Sequence, residues 1–397
     1  MIIKPKFRGF ICTTAHPEGC QAQVEEQIRY VLEQNKISGP KNVLIIGAST
    51  GYGLASRIVS TFGCGANTIG VSFERPSSGK RTATAGWYNT AAFEKNARQA
   101  GVKAYSINGD AFSDEIKQET IALIQAEMGQ VDLVIYSLAS PKRTHPHTGE
   151  QLNSVLKPIG QSYTNKNVDF HTGEIKSLTV EPATEEEIRQ TIAVMGGEDW
   201  QMWIDALDQA DVLAEGVTTL AYSYIGPALT HPIYREGTVG RAKDHLEETA
   251  QILQRKLEAK QGRAFVSINK ALVTQSSAAI PVVPLYVSLL YRIMKEEGLH
   301  EGCIEQIYRL FAEEIFGGSL PHLDAKGRIR IDNLEMREHV QAEVDKRWDT
   351  VNDQNLIALS DIEGYRKEFF QLFGFEVAGI DYEQETNADV AIPSIDK

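Results

Sequence analysis

The sequence predicts an α/β fold, a doubly wound parallel sheet with a substrate-covering insertion and additional C-terminal helices. Three observations predict it. Short apolar runs alternate with helix-forming stretches between about residues 41 and 140, the pattern of a parallel sheet flanked by helices on both faces. The run Val43–Ile46 ends at Gly47 and is followed by Gly51, Gly53 and a helix-forming stretch, a strand–turn–helix unit. The rhythm then breaks after Ser140, where Pro141, Pro146 and Pro158 interrupt the chain, as an inserted hairpin or lid would.

Taken in order, the basic start MIIKPKFRGFICTTAHP reads as an ordered strand pair. Residues 18–35 read as an amphipathic helix with Val24, Ile28, Val31 and Leu32 on one face. Gly39-Pro40 breaks it. Strands follow at about 43–47, 68–73, 104–107 and 131–138, with helices at about 52–62, 89–100 and 114–128. The insertion spans about 141–213, with its helices at 184–194 and 198–208. The Rossmann-type core, about 41–140, resumes at about 214–300. That second part has strands at 217–225 and 264–273 around a long helix at 239–261. Residues 285–375 are read as mainly helical, Asn387–Lys397 as a loose tail, and the whole as one large domain.

Composition sets limits on function. The 397 residues are 42% hydrophobic and carry a net charge of −13. An acidic chain repels phosphate backbones, so nucleic acid is not an expected partner. No apolar run reaches the ~20 residues of a membrane span, and the start does not read as a signal peptide. Cys12, Cys20, Cys64 and Cys303 are scattered without a C-x-x-C pair, as in a reduced, cytoplasmic protein. His145 and His147 read as loop residues, and no metal is expected. A monomer is the working expectation, which the sequence leaves open.

The glycines define a dinucleotide site. Gly47 permits a tight turn, Gly51 a close backbone approach and Gly53 helix-on-strand packing, with a pyrophosphate at the positive end of the helix. The Gly-x3-Gly-x-Gly spacing is the longer turn of short-chain dehydrogenases/reductases. Glu74 ends the second strand, where an acid binds both ribose hydroxyls and repels a 2′-phosphate. NADH is therefore expected over NADPH, although Arg75 could accept that phosphate and Glu74 could be a solvated strand-end charge. Asp110-Ala111 and Leu138-Ala139 close the next strands on the same rim.

A reductase also needs a proton. Tyr234 and Lys243 lie nine positions apart, across a Gly237–Gly240 turn expected to place the tyrosine before a helix and the lysine in its first turns. A nearby ammonium would lower the phenol's pKa from its usual ~10. The same ammonium can hold the nicotinamide ribose. Tyr224 can hydrogen-bond a substrate carbonyl and hold an enolate oxygen. The bland readings, a chance tyrosine–lysine pair and an ordinary strand aromatic, stay open. Trp200 and Trp203 read as packing or pocket wall.

The segments VLIIGASTGYGLASRI, QVDLVIYSLASPKR, VMGGEDWQMWIDAL, KALVTQSSAAIP and HEGCIEQIYRLF, with others from the start to about residue 375, resemble the FabV class of trans-2-enoyl-acyl-carrier-protein/enoyl-CoA reductases. The resemblance implies NADH-dependent saturation of the α,β double bond of enoyl thioesters, with CoA or acyl carrier protein as carrier. It implies Tyr234 as proton donor, Tyr224 as substrate-binding tyrosine and Lys243 as cofactor-holding lysine of a Tyr-x8-Lys pattern. It places cofactor contacts at Gly47, Ala48, Ser49, Thr50, Gly51, Tyr52 and Gly53, at Phe73 and Glu74, at Asp110, Ala111, Leu138 and Ala139, and at Leu272, Val273 and Thr274. One departure stands out: Asp244 follows Lys243 where a second lysine is common. A ketone or ketoacyl reductase with the same cofactor site is the first alternative, and a non-catalytic NADH sensor the second.

Overall fold

Apolar side chains on both faces of the central strands dictate the architecture of the computed structural model, which describes residues 1–8 and 11–395. At the start, β1 (Phe7–Arg8) pairs antiparallel with β2 (Ile11–Cys12). The expected strand pair is thus present, while Gly9-Phe10 between its strands lie outside the described residues. Helix α1 (Pro17–Glu33) buries Val24, Ile28 and Val31 as expected. Leu32 does not share that face and is 55% exposed.

The βα alternation follows: β3 (Asn42–Ile46), α2 (Gly51–Ile58), β4 (Asn67–Ser72), α3 (Ala85–Gln99), β5 (Ala104–Asn108), α4 (Asp114–Glu127) and β6 (Val131–Tyr136). The insertion contains two antiparallel hairpins, β7 (Lys142–Thr144) with β8 (Gln151–Asn153) and β9 (Tyr163–Asp169) with β10 (Glu174–Val180). Helices α5 (Glu185–Met195) and α6 (Glu198–Gln209) complete it. The core resumes with β11 (Leu213–Ser223), α7 (Thr238–Leu257) and β12 (Arg263–Ile268). The last part contains α8 (Val283–Glu296), α9 (Cys303–Arg309), β13 (Ile329–Arg330), α10 (Glu338–Thr350), α11 (Leu356–Leu359) and α12 (Ile362–Gln371).

Seven parallel strands form the main sheet in the order β13-β12-β11-β6-β3-β4-β5. The chain winds outward from β3 through β4 to β5, then returns to β6 and winds the other way. The reversal lies between β3 and β6, where open α/β sheets bind ligands at their carboxyl ends. Along these strands, Val43, Ile45, Leu133 and Ile135 face one core, and Leu44, Ile46, Val134 and Tyr136 the other. Burial on both faces is why β3 and β6 read as continuous apolar runs. A third core surrounds α8, whose Leu285, Tyr286, Leu290 and Met294 are fully buried. Apart from Arg292, Lys295 and Glu296 near its C-terminal end, α8 is apolar or buried on its faces, as a helix inside a core must be, and α10 and α12 cover it.

Three expectations need correction. The strand at 264–273 ends at Ile268, because its partner β11 ends at Ser223, which takes the last ladder bond from Asn269 N–H. The two-residue β13 was not anticipated, being too short for a periodic signal. Within the described part of the expected loose tail, residues 387–395 are anchored. Ala388 and Ile392 are buried, and Ser394 donates to the buried Glu94 carboxylate. Asp396 and Lys397 lie outside the described residues.

Candidate functional site

A cleft of about 1340 Å³ opens at the carboxyl ends of the sheet, over the point of reversal. Its floor is the glycine turn. At Gly47 φ is +89°, and a Cβ there would lie 2.3 Å from the Ser137 carbonyl oxygen. A Cβ on Gly53 would lie 1.9 Å from the Gly47 oxygen. Backbone packs on backbone at both places, and only glycine fits. Gly51 differs: its φ is +54° with nothing within 4 Å of a built Cβ, so its face is open. The N-terminus of α2 begins there without a side-chain cap at Thr50, leaving its first N–H groups free for an anion.

Glu74 stands at the end of the neighbouring strand. Its carboxylate accepts from Ser49 Oγ at 2.6 Å and Thr84 Oγ1 at 2.5 Å. Its backbone is fixed by Asn108 through two hydrogen bonds, at 2.7 and 2.9 Å. Gly86 makes room for it, since a Cβ there would lie 2.1 Å from Glu74 Oε1. Beside it, Phe73 is 76% exposed, a free aromatic face at the rim, and Arg75 points to solvent. An uncapped helix start, open space above Gly51 and a fixed carboxylate one strand away fit a nicotinamide dinucleotide with an unphosphorylated ribose.

Gly47, Ser49, Thr50, Gly51, Tyr52, Phe73, Glu74, Asp110, Ala111, Leu138, Ala139, Leu272, Val273 and Thr274 all line the cleft. Ala48 is buried behind the turn, and Gly53 packs beneath it; neither lines the cleft. Trp203 is core, yet its indole N–H holds the Ala111 carbonyl at 3.0 Å and so shapes the rim.

Tyr224, Tyr234 and Lys243 line the same cleft. Tyr234 lies just before α7, and Gly240 lets that turn sit on the helix, as a Cβ there would lie 1.8 Å from the Arg235 oxygen. The Tyr224 and Tyr234 rings meet edge to face at 5.2 Å. Lys243 Nζ donates to the Tyr222 carbonyl at 3.4 Å. Burial lowers the Lys243 ammonium to about 8, opposed by Glu247. The expected lowering of the Tyr234 phenol is not found. Burial raises it, and the charge that opposes burial is Arg235 rather than Lys243. Tyr234 is therefore a neutral hydrogen-bond donor facing the cleft.

Asp244 has a role that sequence reading did not foresee. It accepts from Arg235 Nη2 at 2.5 Å, while Arg235 Nη1 donates to the Gly240 carbonyl at 3.1 Å. The acid thus clamps the residue after Tyr234 to α7.

Sequence reading also missed Glu335. This fully buried carboxylate accepts from Tyr224 OH at 3.0 Å, Tyr286 OH at 2.7 Å and Ala271 N at 2.7 Å. Burial pushes it up from the usual carboxylate range, and the nearby Lys270 ammonium pulls it down. Lys270 is itself buried and lowered to about 8, with its Nζ 4.8 Å from the Tyr291 ring centre. No local pattern marks Glu335, which lies 111 positions from Tyr224.

His145 caps its own loop, its Nδ1 accepting from the His147 and Thr148 N–H groups. The four cysteines are free thiols, and burial raises Cys303 to about 12. No helix among the described residues is long and apolar enough to cross a membrane.

This sheet, its glycine turn and the polar groups gathered on one rim define a dinucleotide-binding protein of the doubly wound α/β class. Three family models match in succession. They are the NAD(P)H binding domain of trans-2-enoyl-CoA reductase over residues 2–79, the trans-2-enoyl-CoA reductase catalytic region over 81–316 and the enoyl reductase FAD binding domain over 323–386. The chain belongs to the trans-2-enoyl-CoA reductase family. It is 61% identical over 395 residues to the trans-2-enoyl-CoA reductase [NADH] of Ruminiclostridium cellulolyticum, covering 100% of both chains. It is 64% identical over 398 residues to the enoyl-[acyl-carrier-protein] reductase [NADH] of Coxiella burnetii, covering 100% of this chain and 98% of the relative. The crystal structure of the Clostridium acetobutulicum trans-2-enoyl-CoA reductase in complex with NADH superposes with a TM-score of 0.96 at 45% identity, covering 98% of each chain.

Residues 323–386 do not fit a flavin. Val340, Val344, Tyr365 and Phe369 of this segment are fully buried in the core around α8. The segment presents Lys367, Glu368, Gln371 and Leu372 to the cleft, with no glycine turn opening a helix there.

Proposed function

We propose that this protein reduces the α,β double bond of trans-2-enoyl thioesters with NADH. The observation that carries the reading is the convergence of Tyr224, Tyr234 and Lys243 on the cleft that holds the glycine turn and Glu74. The nicotinamide, when bound, supplies a hydride, which this reading directs to the β-carbon of the enoyl thioester.

The chain's own residues do the rest. The N-terminus of α2 and the open face at Gly51 receive the pyrophosphate, and Glu74 takes the ribose hydroxyls. Lys243, charged at neutral pH, holds the nicotinamide ribose. Tyr234 makes no hydrogen bond from its hydroxyl to any described residue, so its proton is free for the thioester oxygen as negative charge develops there. Tyr224 stands beside it with its own O–H given to Glu335 and holds the Tyr234 ring in place; the α-carbon then takes a proton from water as the oxygen returns its proton to Tyr234. Apolar Ile280 and Val283 on the cleft wall fit the acyl chain. Acyl carrier protein or CoA is the carrier, and the protein works as a single-domain monomer in the cytoplasm.

NADH oxidation with crotonyl-CoA and with acetoacetyl-CoA tests the reaction. Turnover of the enoyl substrate is expected, and turnover of the ketoacyl substrate alone would refute it. Tyr234→Phe is expected to lower kcat by at least about 100-fold, the lower range for loss of a positioned proton donor, with NADH binding kept. Unchanged turnover would remove Tyr234 from this role.

A further inference from the structure

The acid that selects the cofactor is held partly by a helix with no cap of its own. Thr84 is the N-cap residue of α3, yet its side chain makes no capping bond to the helix. Its hydroxyl goes to Glu74 instead. A missing cap leaves the helix start weaker. The N-cap and first two turns of α3 nevertheless carry three features of the Glu74 site. Thr84 binds the carboxylate, Gly86 packs against it, and Asn89 Nδ2 donates to the Ser49 carbonyl at 3.1 Å.

The C-terminal segment holds those turns from outside. Trp87 Nε1 donates to the Val390 carbonyl and Tyr88 OH to the Ala388 carbonyl, both at 2.7 Å. The Tyr88 oxygen in turn accepts from Ala83 N at 3.0 Å. Ser77, in the loop after Glu74, donates to Asp389 at 3.1 Å. Ser394 closes the far end. Its N–H and hydroxyl donate to Glu94 of α3 at 3.0 and 2.5 Å, and its hydroxyl also accepts from Ser106 N on the edge strand β5 at 2.9 Å. The segment therefore bridges the loop, the helix and the sheet edge around Glu74.

We propose that residues 387–395 form a strap that positions Glu74, and that this strap helps to set both NADH affinity and discrimination against NADPH. The proposal rests on the reading of Glu74 as the ribose-binding acid. Discrimination is a difference between two affinities, and it depends on where the carboxylate stands. An α3 turn freed from the strap would let Glu74 turn aside, weakening the bond to ribose hydroxyls and the repulsion of a 2′-phosphate together.

Steady-state kinetics with NADH and with NADPH test this on wild type, Trp87→Phe, Ser394→Ala, a chain lacking residues 387–397, and Glu74→Ala. Trp87→Phe keeps the ring and removes the N–H; Ser394→Ala removes the hydroxyl. Each is expected to raise the NADH KM about three- to tenfold, tenfold corresponding to about 1.4 kcal/mol. The NADH/NADPH ratio of kcat/KM should fall, with kcat at saturating NADH within about twofold of wild type. The shortened chain should show the larger change; if it does not fold, the two point variants decide. A lower unfolding midpoint with unchanged KM and unchanged cofactor ratio would make the strap purely structural and overturn the proposal. Glu74→Ala separates the two possible failures. If it leaves the ratio unchanged, the ribose reading fails and takes the proposal with it. If it shifts the ratio and the strap variants do not, the strap alone is refuted.

Discussion

Removing the Glu335 carboxylate should cost the protein a large part of its stability, and the size can be worked out from its partners. In Glu335→Ala, three donors lose their acceptor: Tyr224 OH, Tyr286 OH and Ala271 N. Tyr224 lines the cleft and can turn to water, so its loss is small. Tyr286 is fully buried, and Ala271 is 6% exposed. A buried donor left unsatisfied costs about 1–3 kcal/mol, so these two contribute about 4 kcal/mol together. Lys270 also loses the carboxylate that supports its charge. Its ammonium, already lowered to about 8, escapes at pH 7 by shedding a proton, at a cost of about 1.4 kcal/mol per pH unit. The sum is about 5 kcal/mol, a third or more of the ~5–15 kcal/mol typical of a folded protein. Urea unfolding followed by far-UV circular dichroism measures it. Tyr224→Phe, which keeps the carboxylate and its other two donors, should cost no more than about 1 kcal/mol. A Glu335→Ala loss below about 1 kcal/mol would refute the reasoning, because water would then be replacing the carboxylate at all three donors.

Gly53→Ala should abolish tight NADH binding, because its Cβ would meet the Gly47 carbonyl at 1.9 Å and the turn would have to open. Gly51→Ala meets no protein atom, but it carries left-handed backbone strain of about 1–2 kcal/mol and puts its methyl group on the face assigned to the pyrophosphate. Fluorescence titration with NADH should therefore show weaker binding in both variants, while urea unfolding should rank Gly53→Ala as the more damaging to the fold. Lys243 gives a pH dependence with a definite sign. Its ammonium, lowered to about 8, is present below that pH and lost above it. The kcat/KM for NADH should fall as pH rises through about 8, and a flat profile to about pH 9.5 would remove the lysine's charge from cofactor holding.

Most of the main sheet was legible because its strands are buried on both faces. Val43–Ile46 and Leu133–Tyr136 are apolar runs bounded by glycine or polar residues, and they leave little ambiguity. The edge strand β13 was not legible, because two residues carry no period. Anchoring of residues 387–395 was hidden for another reason. Its bonds run from backbone carbonyls to Trp87 and Tyr88 some 300 positions away, and a backbone acceptor has no sequence signature. Glu335 reads as one more acid in a charged stretch until the fold brings Tyr224 and Tyr286 to it.

The sequence by itself marked the dinucleotide turn and the acid at the next strand end, and it offered Tyr224, Tyr234 and Lys243 as candidates whose roles came from the family resemblance. Each is set by local rules: a backbone that only glycine can follow, a strand of known length, a helix start at a known distance. Tertiary structure alone decided their electrostatics. Burial raised the Tyr234 phenol that a nearby lysine was expected to lower, because a charge exchanges strong hydration for whatever the fold places beside it. For Tyr234 the opposing charge is its chain neighbour Arg235, held by Asp244, and only the fold shows that this charge, rather than Lys243, is the one that opposes burial.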